Sequence, residues 1–138
     1  MGHYLDLHDY RLQWKEGVDL DNVLEQVKGV ISQNPDDYAL SISHVDEALE
    51  CEDIYELMMF FFEEVWVDDR SKDYIHVRTY DTLGDEDTLL AALAPYLRDG
   101  CYLRYRGSDG GLFGWEIRDG GVVSQHATLT WVDDHDQH

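Results

Sequence analysis

Hydrophobic and polar positions alternate late in residues 3–14. Tyr10, Leu12 and Trp14 fall on one side, Asp9, Arg11 and Gln13 on the other. A period of two predicts a strand with one buried face. EGVD then turns the chain, and Asp19 is placed to cap a helix. Leu20, Val23, Leu24, Val27 and Ile31 recur at helical spacing until Asn34-Pro35 stops them. Residues 38–45 alternate again, with Tyr38, Leu40 and Ile42 on one side, and predict a second strand.

The segment ECEDIYELMMFFFEEVWVDD carries two apolar stripes at helical spacing. Ile54, Leu57, Met58, Phe61 and Val65 form one; Tyr55, Met59, Phe62 and Trp66 form the other. A helix over 53–66 is expected, and a surface helix needs only one such stripe. The second stripe is therefore a candidate apolar interface, either for a second copy of the chain or for a target; its Met and aromatic residues suit adaptable contacts.

Residues 74–80 read as a strand. GDEDTLLAALAPYLRDG reads as a helix with acids in its first turn, where the macrodipole favours them. Pro95 removes one backbone donor near its end and tightens or kinks the last turn, and Gly100 ends it. Strands over 101–106, 112–118 and 121–132 close the chain as a meander, the last with Val123, Ala127, Leu129 and Trp131 on one face. Together these elements predict an α+β fold in one domain, 1–138: a mostly antiparallel sheet, three helices on one face and a C-terminal three-stranded meander.

The glycine-rich stretch LRYRGSDGGLFGWEIRDGG raises the question of a phosphate cradle. Such a cradle feeds a helix N-terminus or ends in Lys and Ser/Thr. Here strands flank the loop and no Lys follows Lys72. The glycines read instead as hairpin turns, with Asp119-Gly120 the strongest two-residue signal. The longer stretch LLAALAPYLRDGCYLRYRGSDGGLFGWEIRDGGVV resembles the C-terminal half of small uncharacterised proteins of bacteria and their phages. Those share an LAPY-ended helix, a GSDG-type turn, a Trp-bearing strand and a DG hairpin. The resemblance covers about residues 85–132. It implies a helix-plus-meander fold and a prokaryotic or phage setting, and it brings no site with it.

Charge changes the picture most. Thirty acidic residues oppose ten basic ones, a net charge of −20. Such a surface repels nucleic acid and anionic membrane and attracts basic protein surfaces at long range. The acid is 20 Asp to 10 Glu and the base seven Arg to three Lys, a balance that also suits a protein kept soluble in high salt. Apolar content of 43% is enough for a packed interior, which excludes a disordered acidic tail. No apolar run is long enough to span a membrane. MGHYLDLHDY has neither the basic nor the apolar region of a signal peptide, and Asp6 spoils a myristoylation pattern, so a cytoplasmic location is expected. Cys51 and Cys101 lack metal or redox spacing and read as buried free thiols.

Catalytic chemistry finds little to use. Among the seven histidines, His3, His8, His44, His76, His126, His135 and His138, one grouping is worth naming: His44, Asp46 and His76 would approach if strands 38–45 and 74–80 paired, giving a metal-assisted hydrolase. His135 and His138 have ligand types but lie at the end of the sequence, where fraying is expected. Paired carboxylates such as Asp36-Asp37 and Asp133-Asp134 are expected by chance in so acidic a chain. Asp85, Glu86 and Asp87 lack the spacing of a calcium loop, and no GxSxG motif occurs.

The expectation is therefore a non-enzymatic acidic protein without metal or cofactor. It acts as a DNA mimic, an inhibitor that occupies a basic nucleic-acid-binding protein by protein–protein interaction, of the kind a phage uses for anti-defence. The expected contacts are Asp46, Glu50, Asp53, Glu63, Glu64, Asp68, Asp69, Asp85, Glu86 and Asp87. The alternative is a housekeeping domain of a halophilic organism, dimeric through helix 53–66, whose acidity serves solvation.

Overall fold

The computed structural model describes residues 5–39, 42, 44–79, 86–107, 110–128 and 131–134. It is an α+β fold built on a six-stranded antiparallel sheet in the order β2-β3-β1-β4-β5-β6. The strands are β1 Leu5–Gln13, β2 Glu64–Val67, β3 Tyr74–Arg78, β4 Tyr102–Gly107, β5 Leu112–Arg118 and β6 Gly121–His126. The described helices are α1 Leu20–Gln33, α2 Val45–Leu49, α3 Ile54–Met58 and α4 Glu86–Leu93. β1 lies at the centre, so the first strand of the chain organises the sheet.

The register puts Leu12 opposite Ile75, Tyr10 opposite Leu103 and Leu103 opposite Trp115. One face therefore carries Leu12, Trp14, Ile75, Val77, Cys101, Leu103, Tyr105 and Ile117, all buried. These residues join Val23, Leu24, Val27 and Ile31 of α1, Ile54, Leu57 and Met58 of α3, and Leu89, Leu90 and Leu93 of α4 in one core. The helical periodicity of α1 is thus the periodicity of its core contacts. Asp19 caps it, accepting from the Asp21 N–H at 3.1 Å. At its far end the Asn34 side chain donates to the Val30 carbonyl at 2.9 Å.

Two expected elements are replaced. The strand expected over 38–45 is not found among its described residues: Pro35–Tyr38 is a 3-10 turn, the Ile42 N–H donates to the Tyr38 carbonyl at 2.8 Å, and α2 begins at Val45. Tyr38 and Ile42 are both buried. Their spacing of four suits a helical turn as well as alternation does, and Pro35 followed by two acids favours the turn. The helix expected over 53–66 stops at Met58. Phe60, Phe61 and Phe62 turn the chain, and β2 follows. A run that is apolar all round does not distinguish a buried helix from a coil pressed into the core.

The supposed second stripe of that helix is consequently not a surface. Phe62 is buried, and Tyr55 is half-buried, its hydroxyl accepting from the Trp14 indole N–H at 3.1 Å. Met59 and Trp66 are exposed on different elements. The dimer expected through helix 53–66 loses its contact face.

The C-terminal half follows expectation more closely. Pro95 tightens the end of α4 into the 3-10 turn Ala94–Tyr96. Gly100, at φ +89°, sits in the turn that enters β4 rather than at the helix end. Asp119 and Gly120, at φ +52° and +77°, make the expected hairpin between β5 and β6. Gly110 at φ +87° turns the β4–β5 hairpin. β6 ends at His126, short of the expected 132; Trp131 is exposed, and Leu129 lies outside the described residues. Cys51 and Cys101 are buried and free. No helix among the described residues is long and apolar enough to cross a membrane.

Candidate functional site

The fold sorts charge. Residues 16–63, which hold α1, α2 and α3, carry thirteen carboxylates and one lysine, Lys28. They are Glu16, Asp19, Asp21, Glu25, Asp36, Asp37, Asp46, Glu47, Glu50, Glu52, Asp53, Glu56 and Glu63, and every one is exposed. Apolar positions of this segment point into the core, so its acids are left on the outer side. The segment holds twelve of the twenty net negative charges (thirteen acids less one lysine) in 48 of 138 residues.

The sheet face turned away from the core mixes arginines with the acids Asp6, Asp9, Glu64 and Glu116. Arg11, Arg78, Arg104, Arg106 and Arg118 all lie on it by register, half of the ten basic residues of the chain. They alternate with Trp66, Tyr74, His76 and Tyr102.

Of the ten carboxylates expected to meet a partner, Asp46, Glu50, Asp53 and Glu63 fall in the acidic segment and are exposed. Asp53 also caps α3, accepting from the Glu56 N–H at 2.9 Å. Glu64 lies on the opposite sheet face, ion-paired with Arg78. Asp69 is exposed in the β2–β3 turn, and Asp87 is half-buried. Asp85 lies outside the described residues. Glu86 is a correction: it is fully buried in the first turn of α4 and cannot touch a partner. Glu47, Glu52 and Glu56, passed over in the sequence reading, belong to the patch. A running count of charge along the chain would have found them.

Asp68 has different work. Its Oδ2 accepts from the backbone N–H groups of Arg70 and Ser71, both at 3.0 Å, and so fixes the turn. Its Oδ1 lies 2.8 Å from His76 Nε2, while Nδ1 of the same ring lies 2.8 Å from the Tyr10 hydroxyl. In the neutral imidazole, Nε2–H donates to Asp68 and Tyr10 O–H donates to Nδ1. The Trp66 indole stacks on the ring at 5.4 Å, interplanar angle 21°.

This chain explains a gap in the sheet. β1 pairs with β3 only at Leu12↔Ile75 and Gln13↔Tyr74, and the strands then part around a cavity of about 510 Å³ lined in part by Leu7, Tyr10, Trp66 and Val77. The Tyr10 N–H is taken by the Asp9 carboxylate at 2.9 Å. A side chain thus satisfies a backbone donor beside the open seam. Burial, opposed by the Val77 hydrogen bond, pushes the Tyr10 hydroxyl above its ordinary pKa, so it remains a proton donor at neutral pH.

The hydrogen bond from His76, with those of Ser71 and Arg70, holds the Asp68 carboxyl below its usual pKa. A carboxyl depressed by folding adds stability above its unfolded pKa, and that stability fades as pH falls through the lower folded value. Asp68→Asn is therefore expected to lower the thermal midpoint at pH 7 and to leave it little changed at pH values below the folded value. A pH series of melting curves for both proteins reads this out; a constant offset at all pH values would contradict it.

The grouping of His44, Asp46 and His76 does not form. His76 is held by Asp68 and Tyr10, and His44 and Asp46 sit at the start of α2. Among the described residues no group of three or more His, Cys, Asp or Glu is placed to hold a metal ion.

No family model, curated protein or solved structure matches the chain. The reading of this surface rests on its chemistry alone.

Proposed function

We propose that this protein is a non-catalytic binding protein whose acidic helical segment occupies the cationic, nucleic-acid-binding groove of another protein. The observation that carries the reading is the segregation of thirteen exposed carboxylates with a single lysine in residues 16–63, a segment whose three helices pack into one core. Carboxylates fixed on a rigid scaffold present an array of negative charge, as a phosphate backbone does. The −20 net charge steers such an encounter at long range. Inhibition of a host defence complex by a phage protein is the setting that the resemblance of residues 85–132 suggests.

Capture of nucleic-acid-binding proteins from a bacterial lysate, with duplex DNA as competitor, tests the reading. Capture is expected at low salt, with loss on addition of DNA and in about 1 M salt, where the screening length is about 3 Å. The quadruple variant Asp46→Asn, Glu50→Gln, Asp53→Asn, Glu56→Gln keeps a capping side chain at 53. It is expected to slow association with a captured protein by about tenfold or more. Capture that survives high salt, DNA and the variant unchanged would overturn the proposal.

The 20 Asp to 10 Glu and the scarcity of lysine support the second reading, acidity as solvation in strong salt. A melting series in KCl separates the two. A halophilic domain gains large stability up to molar salt, whereas a mimic is already folded in dilute buffer.

A further inference from the structure

The arginine-bearing face of the sheet has a notch in it. Asp9, Arg104, Gly114 and Gln125 form one row across β1, β4, β5 and β6. Gly114 contributes no side chain to that row, and a cavity of about 680 Å³ opens above it. Leu112, opposite Arg106 on the same face, supplies apolar wall; His8, Arg104 and Gln125 bring potential donors to its rim.

Two carboxylates beside this notch are already engaged. Asp9 accepts from the Tyr102 hydroxyl at 3.1 Å and from the Tyr10 N–H at 2.9 Å. Glu116, two residues along β5, accepts from Arg118 at 2.8 Å and from the Gln125 side chain at 2.8 Å. Arg104 is engaged by neither. Its guanidinium carbon lies 3.9 Å above the Tyr102 ring centroid, and among the described residues the group makes no hydrogen bond. A guanidinium fork stacked on an aromatic ring, with its donors unspent, is a ready partner for a planar or tetrahedral oxyanion. In a chain of net charge −20, anions are repelled at a distance, so recognition has to come from contact at such a spot.

We propose that the notch above Gly114 binds a small oxyanion, carboxylate or phosphate, carried on a flat apolar body. Arg104 holds the anion, the His8 ring flanks it, and Leu112 receives the body. The site is independent of the acidic helical segment and does not depend on that segment's role.

The test is a titration of the isotope-labelled full chain with benzoate, phenyl phosphate and the neutral benzyl alcohol, followed by amide and arginine side-chain NMR signals. Saturable shifts at Gly114 and at the Arg104 side chain are expected with at least one anion and not with the alcohol. Comparison of the two anions tells carboxylate from phosphate. Arg104→Gln, at an exposed position, is expected to weaken binding by about tenfold or more, the loss of a charge-assisted pair. Arg118→Gln, on the same face, is expected to leave it unchanged. The proposal is overturned if neither anion saturates, if benzyl alcohol binds equally well, if Arg104→Gln retains full affinity, or if Arg118→Gln weakens binding as much as Arg104→Gln does.

Discussion

Replacement of Trp14 by alanine is expected to cost about 3–5 kcal/mol, as large-to-small changes of buried aromatics do. Trp14 is 2% exposed and sits where β1 leaves the sheet. Three parts of the chain converge on it. Its N–H donates to the Asp73 carbonyl at 2.9 Å, next to β3. Its carbonyl accepts from the Arg98 side chain at 3.2 Å, and it bridges to Leu97 beyond α4. Its indole N–H donates to the Tyr55 hydroxyl at 3.1 Å, on α3. Alanine keeps the backbone bonds but empties the indole volume and leaves the Tyr55 hydroxyl without its donor. Small domains hold about 5–15 kcal/mol in all, so urea unfolding of Trp14→Ala should show a midpoint far below that of the parent. Trp66→Ala is the control. That indole is 44% exposed, and its loss should cost about 1 kcal/mol or less. Equal losses for the two would mean that Trp14 is not the joint described here.

The second large effect is at Gly114. A Cβ built there would lie 2.2 Å from the Leu103 carbonyl oxygen and 3.0 Å from Arg104 Cα. Both are backbone atoms of β4, so no side-chain rotation relieves the clash. Gly114→Ala must push β5 away from β4 and break ladder bonds. The expected cost is at or above the upper end of the about 1–3 kcal/mol typical of overpacked sites. The opposite sign is expected at Gly29, in the middle of α1, where nothing lies within 4 Å of an added Cβ. Gly29→Ala should stabilise by about 0.5–1 kcal/mol through helix propensity. Thermal melts of the two variants side by side make the comparison. A neutral Gly114→Ala would remove the close strand approach from this account.

The candidate surface was legible as charge and hidden as geometry. Asp46, Glu50, Asp53 and Glu63 are where an acidic patch was expected, because an amphipathic segment with a buried apolar side leaves its acids outside. Glu86 was misplaced because a first-turn acid has the same local signature whether the helix end is exposed or, as here, buried. Asp68 and His76 are eight residues apart and Tyr10 is 66 residues from His76, so only the pairing of β2 with β3 and the parting of β1 from β3 bring the three together. Gly114 was expected within the strand 112–118, but what β4 places against it is not visible along the chain.

By itself the sequence determined what depends on neighbours along the chain. The alternation that becomes β1, the periodicity and cap of α1, the Asp119-Gly120 hairpin, the α+β class and the excess of carboxylates are all of this kind. Tertiary structure decided the rest. It cut the expected helix over 53–66 into α3, a turn and β2, put the 3-10 turn Pro35–Tyr38 and the start of α2 where a strand was expected, and inserted β3 between β2 and β1. It also gathered five arginines onto the outer sheet face, away from the lysine-poor segment 16–63. The physical reason is that local propensities near MMFFF and DDYALSIS are nearly balanced between conformations. Burial of Tyr38, Phe61 and Phe62 in a core shared with distant strands tips that balance.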